Sequence, residues 1–382
     1  MQVPDEYKGR EQSLLKHRVL HEYLLGWGHK LGSVAQRRRV RLCYVDGFAG
    51  PWKSKSESLD DTSIAIGLRA LEAAAATWRD RGAQIEVDAA FVEKDPTAFA
   101  ELDRFLKARH GTVRTAAHHG EFGTLVPDLK RWLGSDAALI FVDPTGWKGA
   151  AMRFIAPLVA GHPHRDVLVN VMFDHINRFK DDPRTFLRDQ MREFFGLGDS
   201  DLPDALAEEE LFGLYRGKLK ELCGVQYAAD LAIPHPTIDR TKFRLVVGGK
   251  NAAVLELFRD IEKKVIGSEA AVVRQDASAR KSEDRTGQLT LIAAPPATDV
   301  HYESLHDEGL RGAPEAIIAR LAGAGPTAFA TLWPEILEAR HITKVELAQI
   351  AWALSKRGEI YVTNAKPRER TMNDDHLLRS KA

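Results

Sequence analysis

The sequence predicts a doubly wound, mostly parallel α/β sheet with a helical insertion, followed by a small helical unit. Three observations predict it. Segments of strand and helix character alternate from residue 40 to residue 173. The strands among them, Val167 to Phe173 above all, are almost unbroken apolar runs, as expected of a parallel sheet covered on both faces by helices. Past residue 300 the alternation gives way to helices, one strand and a basic loop.

The elements follow in order. Leu14, Leu15, Val19, Leu20, Tyr23, Leu24, Trp27 and Leu31 recur at three- and four-residue steps and make a leading helix, which Gly32-Ser33 stops. A basic run, Gln36-Arg37-Arg38-Arg39-Val40-Arg41, leads into a strand from Val40 to Val45. Ile64 to Trp78 is an Ala/Leu-rich helix. Ile85 to Glu93, Thr112 to Ala117 and Ala137 to Val142 are strands, alternating with helices at Ala98 to Ala108, Thr124 to Leu133 and Ala150 to Val159. Asp174 to Cys223 is charged and helical, an insertion or lid. Tyr227 to Ile233 and Phe243 to Val247 are two further strands, and the short connection between them makes the pair antiparallel. Ala252 to Val265 closes the large domain, which spans 1–272 with its insertion at 174–223.

The polar run Asp276 to Arg285 and the Pro/Ala-rich Ala293 to Ala297 predict an interdomain linker over 273–300, with Leu289 to Ile292 long enough for a short strand. In 301–382, helices at Pro314 to Leu321, Ala328 to Glu338 and Lys344 to Lys356 (capped by Thr343) precede a strand, Glu359 to Val362, and a charged loop, Lys366 to Arg370. That order is the layout of a winged helix.

Composition narrows the function classes. Of the 382 residues, 54 are Lys or Arg and 54 are Asp or Glu, so the formal net charge is +0, which excludes a chain-wide nucleic-acid coat but leaves local patches open. The hydrophobic fraction of 44% supports a sizeable core. The segment Met1 to Arg10 is too polar for a secretory signal and no apolar run has membrane-spanning length, so a cytoplasmic protein with no membrane partner is expected. Cys43 and Cys223 make no disulfide framework, and His118-His119 and His162-Pro163-His164 lack further ligands for zinc, so no metal site is expected.

In an open α/β sheet ligands bind beyond the carboxyl ends of the strands. After the first strand comes Asp46-Gly47-Phe48-Ala49-Gly50-Pro51, a tight glycine turn beside an acid, matching neither the dinucleotide fingerprint nor the P-loop. It suits a nucleoside bearing an amino-acid tail, or it is an ordinary βα turn. After the second, Glu93 is placed to accept hydrogen bonds from ribose hydroxyls, while Asp95 with Pro96 reads as a helix cap. After the third, Glu121 faces an adenine amino group or solvent. After the fourth comes Asp143-Pro144-Thr145-Gly146-Trp147, in which Asp143 and the Pro144 carbonyl offer acceptors to a substrate amine and Trp147 offers a stacking ring, or else packs in the core. Phe173, Asp174, His175 and Asn177 follow the fifth strand and line the same cleft. Asp46, Glu93 and Asp143 together also allow a divalent-metal enzyme, although the glycine loop is then unexplained.

These loops, in this order, resemble the class I S-adenosylmethionine-dependent methyltransferase fold and, more narrowly, the three-Cys-motif partner protein (TcmP) family. The resemblance rests on Lys16-His17, Tyr44 to Pro51, Phe91 to Pro96, Phe141 to Trp147 and Val169 to Phe179, and spans about residues 8 to 266. It implies S-adenosylmethionine as cofactor, held by Asp46, Gly47, Phe48, Gly50, Glu93, Lys94 and Lys16, with Glu121 near the adenine. It also implies N-methylation, of a nucleic-acid base, with Asp143, Pro144 and Trp147 at the acceptor, and a three-Cys-motif protein resembling radical S-adenosylmethionine enzymes as a partner. Trp52 and Thr145 depart from the family pattern and motivate a second reading, an inactive module that binds nucleic acid or a partner protein. Arg37, Arg38 and Arg39, with Arg368 and Arg370 in the tail, are the candidate phosphate contacts. The tail itself is neutral, with 11 basic and 11 acidic residues from His301 to Ala382.

Overall fold

A computed structural model gives the structure of residues 3–50, 54, 59–179, 182, 184–200, 202–203, 206–287, 298–366 and 368–381. The chain forms two compact units, Met1–Val254 with Val273–Ala293, and Leu255–Val272 with Ala294–Ala382.

The first unit begins with α1 (Glu11–Gly32) and then alternates: β1 (Val40–Asp46), α2 (Ser63–Arg79), β2 (Ile85–Glu93), α3 (Pro96–Ala108), β3 (Arg114–His119), α4 (Phe122–Leu133), β4 (Ala137–Val142), α5 (Met152–Val159) and β5 (Arg165–Val171). Three insertion helices follow, α6 (Phe173–Phe179), α7 (Thr185–Phe195) and α8 (Glu208–Cys223), then β6 (Tyr227–Pro234) and β7 (Thr241–Gly249). Seven strands form one sheet in the order β3-β2-β1-β4-β5-β7-β6. The first five are parallel, and β7 pairs antiparallel with both β5 and β6. In order and direction this is a doubly wound, mostly parallel Rossmann-like sheet, the expected fold class.

Local chemistry explains the element boundaries. Asp95 caps α3, accepting from the backbone N–H of Thr97 at 3.0 Å and Ala98 at 2.8 Å, with Pro96 in the first turn. Gly196 ends α7 at φ +68, a left-handed position that costs glycine little. β4 and β5 are buried on both faces, and Cys43 sits in that core with its thiol pushed up to about 12 by burial, as a small hydrophobe.

The expected linker is corrected over part of its length. The chain continues from α9 (Ala253–Ile261) through a π-helical stretch, Glu262–Glu269, into α10 (Ala270–Thr286). Its polar residues are a solvated helix face and not a loop: Val273 and Ala277 are buried, and Arg280 pairs with Glu11 and, one turn back, with Asp276 at 3.1 Å. The run holds Ala, Arg, Lys, Glu and no Gly or Pro between 276 and 285, so helix propensity outweighs polarity. The suggested strand Leu289 to Ile292 lies outside the described residues.

The second unit carries α11 (Val300–Leu321), β8 (Thr327–Ala328), α12 (Phe329–Ala339), α13 (Lys344–Lys356), β9 (Ile360–Val362) and β10 (Leu377–Ser380). Its three strands form an antiparallel sheet in the order β8-β10-β9. α11 starts fourteen residues before Pro314, at Val300, because Asp299 caps it by accepting from His301 N–H at 3.1 Å. Thr343 caps α13 in a reciprocal box with Glu346. No helix among the described residues is long and apolar enough to cross a membrane.

Candidate active site

The strand order reverses between β1 and β4, and that switch point is where such a sheet opens a crevice at its carboxyl ends. A cavity of about 620 Å³ lies there. Its wall comes from the loops after β1, β2, β3 and β4 together with the insertion helices. Gly47, Phe48, Gly50, Glu93, Lys94, Glu121, Asp143, Pro144 and Trp147 all line it.

The glycine turn is held against the sheet from two sides. Gly47 N–H donates to the Phe141 carbonyl at 2.9 Å and Ala49 N–H to the Val92 carbonyl at 2.8 Å. A Cβ on Gly50 would lie 1.6 Å from Glu93 Oε2, so only glycine lets the turn and the carboxylate share this space. Glu93 is buried, and its Oε1 accepts from Asp95 N–H at 2.7 Å, which fixes the carboxylate and leaves Oε2 facing the turn. Phe48 and Phe122 pack with centroids 5.6 Å apart to make an apolar wall.

Asp46 is placed differently from the expectation. It is fully buried and does not line the cavity. Its oxygens accept from Phe48 N–H at 3.1 Å and the Ser63 hydroxyl at 3.2 Å, so it braces the turn from below. Burial pushes its carboxyl up to about 7. The Phe48 N–H, the Ser63 hydroxyl and Lys16 pull it back, while Asp143 pushes it further.

Lys16 is also off the cavity wall. Its ammonium donates to Asp143 Oδ2 at 2.5 Å, and Asn170 Nδ2 donates to Asp143 Oδ1 at 2.6 Å. A helix residue and a strand residue thus fix both oxygens of the acid that ends β4. Each oxygen keeps lone-pair capacity toward the cavity. Trp147 satisfies both readings of its position: it is buried in the core cluster and still lines the cavity, with its indole N–H donating to Gln190 Oε1 at 3.1 Å.

The helical insertion 174–223, expected from the sequence to form part of the substrate wall, contributes Gln190, Glu193 and Phe194 from α7, although the sequence singled out none of these residues, nor the α5 pair Arg153 and Phe154. Of the four residues expected after the fifth strand, His175 lines the cavity, joined from α6 by Phe179, while Phe173, Asp174 and Asn177 are not on its wall. The arginine run is separated from this site. Arg37, Arg38 and Arg39 are exposed and precede β1, so they lie at the amino edge of the sheet, a strand length of about 20 Å from Asp46. Arg39 is paired with Glu86. Arg368 and Arg370 are exposed on the loop between β9 and β10 of the second unit. Trp52 lies outside the described residues. Among the described residues no three His, Cys, Asp or Glu side chains converge as a metal site.

No family model matches the chain, and no curated protein matches it. Three solved structures are similar in fold. A protein of Legionella pneumophila str. Philadelphia 1 is 12% identical, covering 67% of this chain and 92% of its own, with a TM-score of 0.35. Human methyltransferase-like protein 13, in complex with SAH, is 10% identical over 65% of this chain and 91% of its own, with a TM-score of 0.33. Loganic acid methyltransferase with SAH is 10% identical over 78% and 96%, with a TM-score of 0.32. Likenesses of this degree carry no weight for function, which rests on the side chains at the strand ends.

Proposed function

We propose that the large unit is an S-adenosylmethionine-dependent methyltransferase acting on the nitrogen of a planar amine, a nucleic-acid base being the acceptor suggested by Asp143-Pro144. The observation that carries this reading is the cavity at the switch point, with its Gly50–Glu93 cradle on one side and Asp143 on the other. When bound, the cofactor supplies a methyl group on a sulfonium, open to attack by a nucleophile. The chain's own residues bind and orient. The backbone of Gly47 and Gly50 allows close approach, Glu93 Oε2 is free to accept from a ribose hydroxyl, and Lys94 and Glu121 flank the same half. Asp143, steadied by Lys16 and Asn170, and the Pro144 carbonyl accept from the amine and aim its lone pair. Holding two reactants in line is worth several kcal/mol of barrier on the scale of about 7–11 kcal/mol that orientation can supply.

The same reading takes the chain as a relative of the TcmP proteins, its tail as a winged helix, and a three-Cys-motif protein as a partner. Arg368 and Arg370 remain the positions for nucleic-acid contact near that tail.

Calorimetric titration with S-adenosylmethionine tests the proposal. One binding site per chain is expected. Gly50→Ala drives its Cβ into the buried Glu93 carboxylate and pulls it off Asp95 N–H, so its melting temperature should fall along with an affinity loss of about tenfold or more. Glu93→Gln should instead keep the melting temperature close to the parent's and lose about tenfold in affinity, the change from a charged to a neutral hydrogen-bond acceptor. A folded parent protein that takes up no cofactor would sink the reading.

A further inference from the structure

The half of the cavity beyond Asp143 has its own chemistry. Trp147 meets Phe179 edge-on with centroids 5.7 Å apart, and His175 edge-on at 6.1 Å. Gln190 pins the indole, and Phe194 adds a further ring to the wall. These are flat surfaces set by the fold, suited to a flat ligand.

His175 stands apart within this wall. It lines the cavity, touches Trp147 and Phe179 through its ring, and its imidazole makes no hydrogen bond or ion pair among the described residues. Burial, with Arg178 and Lys242 nearby, lowers its pKa below the usual 6.5, against a smaller opposing pull from Asp174. Asp174 is itself engaged by Lys242 at 2.7 Å and Arg240 at 3.3 Å. A neutral imidazole offers one donor and one acceptor to a ligand edge.

Charge on this half is balanced. Among the described residues its ionisable side chains besides His175 are Asp143, Lys148, Arg153 and Glu193, and Arg153 pairs with Glu193 at 3.2 Å. Among the described lining residues that leaves Lys148 for phosphates, with Arg178 nearby and Lys242 held by Asp174, whereas polynucleotide binding draws on several cations, and the arginine run lies at the other edge of the sheet.

We propose that this compartment takes one small, flat, uncharged heteroaromatic amine, not a base within a polynucleotide. The amine is received by Asp143 and the Pro144 carbonyl, the ring lies against the Trp147 wall, and His175 hydrogen-bonds the ring edge. The inference rests on the cofactor reading of the other half. It keeps methyl transfer to a planar amine nitrogen and replaces the nucleic-acid base suggested above with a free heteroaromatic amine.

The test uses the full chain saturated with S-adenosylhomocysteine, so that the cofactor's adenine place is filled, and titrates in adenine, cytosine and a 12-nucleotide single strand at 50 and 300 mM salt. Adenine or cytosine should bind at one site with an affinity unmoved by salt. His175→Ala should weaken it about tenfold, the loss of one hydrogen bond in an enclosed site, and leave S-adenosylhomocysteine affinity unchanged. Saturable cofactor-product binding with no uptake of either base overturns the acceptor class alone. So does uptake of the oligonucleotide only, falling steeply with salt, or base affinity unchanged in His175→Ala. Absence of S-adenosylhomocysteine binding removes the proposed function and this inference together.

Discussion

An Asp46→Asn protein should be more stable than the parent at pH 8 and should bind S-adenosylmethionine about tenfold more weakly. Both effects come from one buried charge. Asp46 is fully buried and its carboxyl is pushed up from 3.8 to about 7. Between those values the folded chain holds a proton that the unfolded chain has released, so stability falls as pH rises from about 4 through 7 and then levels off. At 1.36 kcal/mol for each unit, the ionised group costs the parent on the order of 4 kcal/mol above pH 7. Asparagine carries no such charge. Its amide oxygen can still accept from Phe48 N–H, and its amide nitrogen can donate to the Ser63 oxygen. The stability difference between the two proteins should therefore be small near pH 4.5 and grow to several kcal/mol at pH 8. Urea unfolding of both proteins at the two pH values reads it directly, and the contribution of Asp166, whose carboxyl burial also pushes up to about 7, cancels in the difference. Curves that stay parallel from pH 4.5 to 8 would show that Asp46 does not titrate in this range. Binding supplies the opposite sign: a cationic cofactor favours the ionised carboxylate through a poorly solvated medium. Parent affinity should rise from pH 6 to 8, and the Asp46→Asn profile should stay flat.

That acid was legible in the sequence as a strand-end residue beside a glycine turn. Its depth was not, because burial of a polar side chain depends on which helix covers the strand. Here α2 brings Ser63 over it, from 17 residues away. The same division holds elsewhere. Glu93, Asp143 and the glycines could be placed because they follow apolar runs whose period fixes where each strand stops. Lys16 could be suspected but not given its partner, since it lies 127 residues from Asp143 and no local pattern links them. Gln190, Glu193 and Phe194 belong to an insertion helix whose docking is decided by tertiary packing alone. The position of Arg37 to Arg39 was legible too: a run that precedes a strand sits at its amino end, away from a carboxyl-end site.

The second large effect is expected at Asp143, where two substitutions separate two roles. With adenine as the acceptor, Asp143→Ala should lower methyl transfer by about 10³, the scale on which one preorganised partner of a developing charge is lost. Cofactor affinity should hold, since the Gly50–Glu93 cradle is on the other side of the cavity. Alanine also leaves the Lys16 ammonium, 14% exposed, without its carboxylate, so some loss of stability accompanies it. Asp143→Asn avoids this. Its amide oxygen can accept from Lys16, and once the Asn170 side-chain amide turns over, exchanging its Nδ2 for its unpartnered Oδ1, the new amide nitrogen can donate to that oxygen. If Asp143 works by orienting the amine, the amide oxygen retains much of that function and the loss should be about tenfold, the missing charge being the difference. If instead Asp143 removes the amine proton in the rate-limiting step, asparagine cannot substitute and should be as inactive as alanine. Single-turnover rates of the three proteins, read with melting temperatures, decide between these. Full activity in Asp143→Ala would take the residue out of the site altogether.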